Sequence, residues 1–156
     1  MQIKPTTIED VEQICAWSKI DIDESHRKTN PEFWLTAAPG SYFGGAIEDA
    51  DGIVLYFRFD REQESLLRMH TQFAPSTKVN RSRVAKAISA VLPSYLQIVQ
   101  ADGIDGIVFE TRFPELVAFM ARLGFIKAEG KHDDYILEFA VTDELAKQIS
   151  NGDRNG

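Results

Sequence analysis

Two periods of hydrophobic and polar residues alternate along this chain, and their order predicts a mixed α/β fold. Three neighbouring runs repeat with the period of two that is typical of strands, at residues 41–47, 53–60 and 65–73. Three other segments space their apolar residues as helices do, beginning at Ile8, Ser82 and Pro114. Polar turns at residues 49–52 and 61–64 join the three strands, so we expect an antiparallel meander between helices.

The first two of these three helical segments have features that can be checked. The first should begin after Thr6 or Thr7 as its cap and bury one face. That face comprises Ile8, Val11, Ile14, Cys15 and Ser18, with Trp17 outside it. The helix from Ser82 is interrupted by Pro93, which predicts either a kink near residues 89–92 or two consecutive helices.

The remaining segments complete a predicted sheet of six to seven strands with about four helices. A strand is expected at residues 1–4, a buried parallel strand at 104–111, and a hairpin at 125–129 and 135–141. Pro31 should begin a short helix, and Gly124 should end the helix that begins at Pro114. A last short helix is predicted at residues 142–149. We expect one domain over residues 1–149 and a disordered tail over 150–156.

Composition and charge argue against several classes of function for this protein. The 156 residues are 44% hydrophobic, which suffices for one domain with a substantial core. A net charge of −7 argues against general nucleic-acid binding. The single cysteine excludes an internal disulfide and a cysteine-based metal cluster, and the three histidines show no ligand spacing. Because neither a membrane-spanning run nor a secretory signal is visible, we expect a cytoplasmic protein with no membrane partner and no metal.

The junction between the third meander strand and the next helix predicts an anion site. The loop after the strand carries Lys78, Arg81 and Arg83 and leads directly into the helix, with Asn80 or Ser82 as its cap. The first N–H groups of a helix lack an intrahelical partner and lie at the positive end of its dipole, where anions bind. The alternative is that these cations only solvate the start of the helix.

Three motifs and the order of the elements resemble the GCN5-related N-acetyltransferase (GNAT) family. The strand end TQFAP at residues 71–75 resembles the family's V-x-P, and RVA at residues 83–85 stands where the family has G-x-G or G-x-A. The segment FMARLGF at residues 119–125 resembles the family's F-Y-x-x-x-G-F. The similarity extends over residues 1–140 and no motif is complete.

The resemblance implies a mostly antiparallel sheet with a splayed strand pair at its centre, and acetyl-CoA or another acyl-CoA as co-substrate. The pantetheine arm would enter between strand 65–73 and its parallel neighbour, and the pyrophosphate would meet the helix start. The residues implied to bind this co-substrate are Phe73, Ala74, Pro75, Lys78, Asn80, Arg81, Ser82, Arg83, Val84 and Ala85. Arg83 and Ala85 replace the usual glycines, so Arg83 would either clamp a phosphate or occupy its position.

Acyl transfer to an amine needs a base for the amine proton and an acid for the leaving thiolate. The tyrosine that serves as acid in many members of the family aligns with Met120, which cannot donate a proton. His70, on the polar face of strand 65–73, is the candidate base, and Glu110 is another. Tyr56 and Tyr135 are the candidate acids. Each of the four also fits a structural role: a histidine at the sheet rim, a solvated carboxylate, or a packed tyrosine.

The resemblance also implies that the connection between the first two helices forms one wall of the acceptor site. Asp21, Asp23 and Glu24 would then meet a cationic acceptor, with Trp34 beside them, and a solvated loop is the alternative. The predicted function is therefore an N-acyltransferase for an amine of a small molecule or peptide. Two functions compete with it: a catalytically silent binding module on the same scaffold, and a structural homodimer that pairs its C-terminal strands.

Overall fold

The computed structural model describes residues 1–21, 31–35, 41–75, 78–110, 114–127 and 134–138. Within these residues the helices are α1 (Ile8–Asp21), α2 (Arg81–Ala101) and α3 (Pro114–Arg122), and a 3₁₀ turn spans Pro31–Trp34. The strands are β1 (Gln2–Lys4), β2 (Ser41–Asp49), β3 (Gly52–Gln63), β4 (Leu66–Phe73), β5 (Gly106–Glu110), β6 (Ile126–Lys127) and β7 (Asp134–Glu138). None of the helices described here has both the length and the apolar content to span a lipid bilayer.

The strands form one sheet in the order β1-β2-β3-β4-β5-β7-β6. The pairs β1/β2, β2/β3, β5/β7 and β6/β7 are antiparallel, whereas β4 and β5 are parallel. The parallel ladder joins residues 66–69 to residues 106–109, and β4 continues beyond it through residues 70–73. The predicted mixed, mostly antiparallel sheet is confirmed.

The chain divides into two compact units. The first comprises Met1–Asp60 and His70–Ala87, and the second comprises Arg61–Met69 and Ile88–Gly156. The first unit therefore holds β1, β2, α1 and most of β3, while the second holds β5, β6, β7, α3 and most of α2. The single domain over residues 1–149 stays a prediction. The predicted helix at 142–149 and the predicted tail at 150–156 lie outside the described residues.

Helix α1 begins at a threonine cap. The carboxylate of Asp10, the third helical residue, accepts hydrogen bonds from the amide and the hydroxyl of Thr7 at 2.8 and 3.0 Å. The Asp10 amide donates in turn to the Thr7 carbonyl at 3.1 Å. The bond from the Thr7 amide to the Asp10 carboxylate is one half of a capping box, with Asp in the place of Glu. Thr7, one of the two predicted caps, therefore occupies the cap position, and its hydroxyl donates to the Asp10 carboxylate while its carbonyl accepts from the Asp10 amide.

The buried face of α1 differs from the prediction. Val11 and Ile14 are buried as expected, but Ile8 is 72% exposed and Trp17 is only 4% exposed. The indole ring of Trp17 lies 5.4 Å from the ring of Tyr56 on β3. An indole ring carries more apolar surface than an isoleucine side chain, so more free energy is gained when the helix buries Trp17 than when it buries Ile8.

Strand β3 is the central strand of the first unit, and both of its faces are buried. Residues 54–59 are all buried. Phe57 and Phe59 lie on one face, where their rings contact the ring of Phe43. Tyr56 and Arg58 lie on the opposite face, because side chains alternate along a strand. Polar groups on a strand of this kind need hydrogen-bonding partners.

The turn after β3 is shorter than predicted. The strand extends through Gln63, so the polar turn expected at residues 61–64 is reduced to Glu64 and Ser65. The guanidinium of Arg61 donates to the carbonyl of Glu64 and closes this turn. The polar side chains that suggested a turn instead belong to the exposed end of a long strand.

Helix α2 is one helix from Arg81 to Ala101, so the alternative of two consecutive helices is wrong. Pro93 removes one hydrogen bond of the helical ladder, at a cost of roughly 3 kcal/mol. Leu92 and Leu96 are buried on either side of the proline. Burial of such side chains contributes roughly 1.5–3 kcal/mol each, which offsets the lost bond.

Helix α3 ends at the predicted glycine. Gly124 has a φ angle of 102°, a region that L side chains rarely adopt. The Phe125 amide donates to the Met120 carbonyl, and the Gly124 amide donates to the Ala121 carbonyl, each at 3.1 Å. These two bonds form a Schellman motif. It directs Phe125 inward, where its ring lies 6.4 Å from the ring of Phe109 on β5.

Gly45 on β2 allows a close approach of β1. A Cβ atom added at Gly45 would lie 2.6 Å from the carbonyl oxygen of Lys4, too short for a real contact. We expect Gly45→Ala to lower the free energy of unfolding by about 1–3 kcal/mol, because the crowding atom belongs to the main chain and cannot move alone. Urea unfolding followed by circular dichroism measures this loss.

Gly103, after α2, offers the matched control for that substitution. It has a φ angle of 74° and open space around its missing Cβ. Asparagine tolerates this region of backbone conformation, so Gly103→Asn should cost less than about 1 kcal/mol. Equal losses at the two glycines would show that contact with β1 is not what requires Gly45.

Candidate functional site

Strand β4 leads through a hydrogen-bonded loop into α2. The amide of Ala74 donates to the carbonyl of Val54 at 2.9 Å. The amides of Lys78 and Val79 then donate to the carbonyl of Pro75 at 2.8 and 3.0 Å. Ala74 and Pro75 are buried, whereas Lys78 is exposed. Three further residues implied to bind the co-substrate are half-buried: Phe73, Val84 and Ala85.

Asn80 caps the start of α2. Its Oδ1 accepts a hydrogen bond from the amide of Arg83 at 2.9 Å, and its carbonyl accepts one from the amide of Val84 at 3.2 Å. Asn80 was one of the two caps predicted from the sequence, with Ser82 as the other. Arg81 and Ser82 occupy the first two helical positions and are exposed. The dipole of a helix favours negative charge at this end.

The guanidinium of Arg83 is held by an internal carboxylate. Its Nε and Nη2 donate to the two carboxylate oxygens of Asp49 at 2.7 and 2.6 Å, and its Nη1 donates to the carbonyl of Lys78 at 2.9 Å. A two-pronged pairing of this kind is among the strongest that a guanidinium makes. Arg83 thus joins the start of α2 to the turn between β2 and β3. The two roles predicted for Arg83, to clamp a phosphate of the co-substrate or to occupy the position of that phosphate, stay predictions.

This ion pair makes the stability of the protein depend on pH. The hydrogen bonds from Arg83 lower the pKa of Asp49 from 3.8 to about 2, and the same bonds raise the pKa of Arg83. Because the pKa of Asp49 is lower in the folded protein, the unfolded chain binds more protons between these two pKa values. The stabilisation is therefore complete above about pH 4 and is lost as the pH falls towards 2.

The pH dependence can be measured by urea unfolding at a series of pH values from about 5 down to about 3. We expect the free energy of unfolding to fall more steeply for the wild-type protein than for Asp49→Asn, which removes the carboxylate. Asp51→Asn is the matched control, because Asp51 lies in the same turn and is exposed. Identical slopes for the wild-type protein and Asp49→Asn would contradict the assignment.

A second group of interacting residues lies in the first unit, and we call Phe33, Arg58, Asp60 and His70 the Arg58 cluster. The Nε of Arg58 donates to Oδ1 of Asp60 at 2.6 Å, and its Nη1 donates to the carbonyl of Phe33. The guanidinium carbon lies 4.0 Å from the centroid of the Phe33 ring, a cation–π contact. Oδ2 of Asp60 lies 3.1 Å from Nε2 of His70. The rings of His70 and Phe33 meet edge to face at 5.0 Å.

Burial in the Arg58 cluster decreases from Arg58 to His70. Arg58 is 5% exposed, whereas the side chains of Asp60 and His70 are 22% and 29% exposed. A buried guanidinium requires an anion beside it, so Asp60 is ionised. The cluster therefore leads from a buried cation through a carboxylate to an imidazole at the surface. An imidazole placed beside a carboxylate can accept a proton near neutral pH.

The residues predicted to bind the acceptor are only partly described. The 3₁₀ turn Pro31–Trp34 contains Trp34, which is 7% exposed. Its indole N–H is buried and finds no acceptor in the described part of the chain. A bound ligand with an acceptor atom would remove the free-energy cost of that buried donor. Asp21 is the last residue of α1, and Asp23 and Glu24 lie outside the described residues.

Tyr56 fills a structural role. Its hydroxyl donates to the carboxylate of Asp10 at 2.9 Å and accepts from the side-chain amide of Gln13 at 2.9 Å. Burial, followed by the contact with Asp10, raises the pKa of this hydroxyl. The side chain has no exposed surface. Tyr56 therefore joins α1 to β3, and it is poorly suited to deliver a proton to a substrate.

The other candidate catalytic residues lie on β5 and β7, in the second unit. Glu110 is the last residue of β5 and pairs with Asp134, while Tyr135 pairs with Phe109 on the neighbouring strand. The catalytic roles of Glu110 and Tyr135 stay predictions. Met120, which aligns with the tyrosine of the resembling family, is completely buried. Across the described ranges, no group of three or more His, Cys, Asp or Glu side chains is arranged to hold a metal ion.

Sequence reasoning missed three members of the Arg58 cluster: Phe33, Arg58 and Asp60. A signal for two of them is present in the run IVLYFRFD at residues 53–60. Charged residues are almost never fully buried unless they are paired. An arginine inside a strongly apolar strand, two residues before an aspartate on the same face, therefore indicates a buried ion pair. Phe33 contributes its carbonyl and ring through tertiary contact, for which the sequence carries no local signal.

Comparison with known proteins identifies the fold. No protein-family model matches the chain, and no curated protein sequence matches it. Solved structures do match. An acetyltransferase of the GNAT family from Staphylococcus aureus Mu50 has a TM-score of 0.66 at 17% identity, over 88% of this chain and 98% of that chain.

Two further similar structures are described with a bound co-substrate or with a named acceptor. A GNAT family acetyltransferase from Brucella melitensis, in complex with acetyl-CoA, has a TM-score of 0.57 at 13% identity, over 89% of this chain and 88% of that chain. A mutant of the spermidine N-acetyltransferase SpeG from Vibrio cholerae has a TM-score of 0.63 at 12% identity, over 87% of this chain and 92% of that chain. Similarity at these identities establishes the fold, so the chain has the GNAT fold that its motifs resemble.

Proposed function

We propose that this chain, which has the GNAT fold, is an acyl-CoA-dependent N-acyltransferase. It transfers an acetyl group directly from acetyl-CoA to an amine of a small molecule or peptide while both substrates are bound. The observation that carries the proposal is the junction between β4 and α2, where a capped helix N-terminus follows closely on the end of a strand. The structure from Brucella melitensis, which has the same fold and holds acetyl-CoA, supports it.

The residues at this junction fit an anionic co-substrate. Lys78 and Arg81 are exposed beside the first turn of α2, and Asn80 fixes the start of the helix. Cationic side chains and the helix dipole both favour phosphate groups. The main chain near Phe73 would bind the amides of the pantetheine arm. Because Asp49 and the Lys78 carbonyl occupy all three nitrogens of Arg83, we assign Arg83 to the scaffold of this site.

The catalytic task of the protein is to hold the amine and to move protons. A bound acyl-CoA would supply an activated thioester, so the protein needs no covalent intermediate. We assign His70 as the base that accepts the proton of the amine, because its imidazole reaches the surface beside Asp60. Glu110 remains a second candidate for the base, and Tyr135 the candidate acid for the leaving thiolate. Neither role falls to Met120, since a thioether carries no proton.

The acceptor in this proposal is an amine that reaches the protein as a cation. A spermidine N-acetyltransferase shares the fold, which supports an amine of this kind. The negative net charge favours the approach of a cation. Asp21, Asp23 and Glu24 would attract it, and Trp34 would pack against its apolar part. We also propose a cytoplasmic location, and a homodimer remains the proposed assembly to test by light scattering.

Two measurements on the purified protein test the proposed function. Thermal unfolding is followed without ligand, with coenzyme A, and with pantetheine, which lacks the phosphates. A ligand that binds only the folded state raises the midpoint, and coenzyme A should raise it more than pantetheine does. Labelled acetyl-CoA is then incubated with a panel of amines that includes spermidine and short peptides. Absence of both a coenzyme A shift and any transfer would contradict the proposal.

A catalytically silent binding module is the second candidate function. Two observations favour it: the charge of Arg83 is already neutralised by Asp49, and Met120 is buried where the resembling family has a tyrosine. In this case the start of α2 would bind an anion, or an acidic side chain of a partner, without chemistry. Binding of coenzyme A without transfer to any amine would favour this function, and steady turnover would reject it.

A further inference from the structure

The ion pair between Asp49 and Arg83 lies beside the loop assigned to the co-substrate. We propose that Asp49 is a positioning residue: through Arg83 it holds the loop before α2 in the conformation that receives the phosphates of coenzyme A. This role rests on the proposed function. Asp49 acts through Arg83 and does not itself contact the co-substrate. The turn between β2 and β3 thereby contributes to co-substrate binding, although it contains none of the residues implied to bind that molecule.

The guanidinium of Arg83 connects this turn to the loop. Its Nε and Nη2 donate to the two carboxylate oxygens of Asp49 at 2.7 and 2.6 Å. Its Nη1 donates to the carbonyl of Lys78, in the loop, at 2.9 Å. Because a guanidinium is planar and rigid, two bonds to one carboxylate fix the direction in which Nη1 points. Asp49 therefore sets where Arg83 holds the Lys78 carbonyl.

The carboxylate of Asp49 is itself held by the hairpin. Its Oδ1 also accepts a hydrogen bond from the amide of Asp51 at 2.9 Å. Asp49 is the last residue of β2 and pairs with Gly52, the first residue of β3. Gly52 has a φ angle of 120°, which closes this tight turn. Arg83 is thus anchored to a hairpin of the sheet, and the loop takes its position from that hairpin.

The loop held by Arg83 carries the groups proposed to meet the phosphates. Its conformation depends on the amides of Lys78 and Val79, which both donate to the carbonyl of Pro75, and on Val79, whose side chain is buried. The main-chain amide of Arg83 also donates to Oδ1 of Asn80, the cap of α2. Arg83 therefore holds the loop at two points. A ligand binds more weakly when its binding conformation is populated for only part of the time.

The conformation of the loop can be measured without any ligand, by hydrogen exchange of the Lys78 and Val79 amides in NMR spectra. Asp49→Asn replaces one carboxylate oxygen by an NH2 group, which cannot accept from the guanidinium. We expect both amides to exchange at least about tenfold faster in this variant, because the loop opens more often. Asp51→Asn removes an equal charge from the same turn and should leave their exchange unchanged. Unchanged exchange in Asp49→Asn would overturn the proposal.

Calorimetric titration with coenzyme A and with pantetheine measures the effect on binding. Asp49→Asn should raise the Kd of coenzyme A by about 3–30-fold, the range expected for residues coupled by direct contact. The Kd of pantetheine, which lacks the phosphates, should change by less than about twofold, as should both values in Asp51→Asn. The KM for acetyl-CoA should rise with the Kd while kcat is retained. Tighter binding of coenzyme A by Asp49→Asn would show that Asp49 competes with the phosphates for Arg83, and would reject positioning.

A double-mutant cycle shows whether Asp49 acts through Arg83. Arg83→Met keeps the apolar stem and removes the guanidinium, so it should weaken coenzyme A binding at least as much as Asp49→Asn does. Adding Asp49→Asn to Arg83→Met should then weaken binding no further. Equal effects of Asp49→Asn in both backgrounds would mean that Asp49 acts on the co-substrate independently, which contradicts the proposal. If Arg83→Met does not fold, the comparison of Asp49→Asn with Asp51→Asn still decides between the two outcomes.

Failure of this proposal can be distinguished from failure of the proposed function. A wild-type protein that binds coenzyme A and transfers acetyl groups, with the same Kd in Asp49→Asn, would contradict the role of Asp49 and leave the proposed function supported. A wild-type protein that neither binds coenzyme A nor acetylates an amine would contradict the proposed function. Hydrogen exchange would then still show whether Asp49 holds the loop, because it is measured without co-substrate.

Discussion

Replacing His70 by glutamine is expected to lower the kcat of acetyl transfer by about 10²–10⁴-fold, the range for loss of a general base. The glutamine amide can still donate to Oδ2 of Asp60 in place of Nε2. It has no group that accepts a proton near neutral pH, however. The KM for acetyl-CoA should change by less than about threefold, because the proposed co-substrate residues lie at the start of α2 and do not include His70.

Initial rates at several concentrations of both substrates separate kcat from KM in this variant. Gln97→Ala, at an exposed position on α2, is the control and should keep the wild-type rate. Urea unfolding should show that His70→Gln changes the free energy of unfolding by less than about 0.5 kcal/mol. A variant that retains more than about a third of the wild-type kcat would exclude His70 as the base and leave Glu110 as the candidate.

Replacing Arg58 by alanine is expected to lower the free energy of unfolding by about 3 kcal/mol. Removal of one partner from a buried ion pair typically costs about 3–5 kcal/mol. Asp60 retains some contact with water, since its side chain is 22% exposed, so the expected loss lies at the lower end of that range. The variant leaves the carboxylate of Asp60 without its buried cation. It also removes the hydrogen bond to the Phe33 carbonyl and the contact with the Phe33 ring.

Urea unfolding in one buffer compares this variant with a matched arginine on the same strand. Arg61 lies three residues later and is exposed, and Arg61→Ala should change the free energy of unfolding by less than about 0.5 kcal/mol. The double variant Arg58→Met with Asp60→Asn should be more stable than Arg58→Ala, because it leaves no buried charge without a partner. Similar losses at Arg58 and Arg61 would mean that the buried ion pair contributes little.

The sequence predicted those elements whose signals are local. The alternation along residues 53–60 and 65–73 predicted β3 and β4, and Gly124 predicted the end of α3. The face of α1 was predicted incorrectly, because the choice between Ile8 and Trp17 depends on Tyr56, on a strand far away in the chain. Element types follow from spacing within a segment, whereas the buried face of an element depends on what it packs against.

In the candidate site, too, the features with a local signal could be predicted and those that depend on distant residues could not. The cap at Asn80 could be predicted because the residue and the helix that it caps are adjacent in the sequence. The partner of Arg83 could not be predicted, because Asp49 lies 34 residues away and the turn that carries it offers several similar carboxylates. His70 was identified from its place on the polar face of β4. Its orientation by Asp60 and Phe33 arises only when β3, β4 and the 3₁₀ turn come together.

Arg58 anchors the 3₁₀ turn Pro31–Trp34 through a main-chain carbonyl. Every amino acid supplies that carbonyl, so the hydrogen bond places no demand on which side chains the turn carries. Residues along this turn can therefore be exchanged in evolution while the attachment of the turn to β3 is inherited unchanged. If the proposed acceptor site includes Trp34, substitutions in this one short segment would change the acceptor without loosening the segment from the sheet.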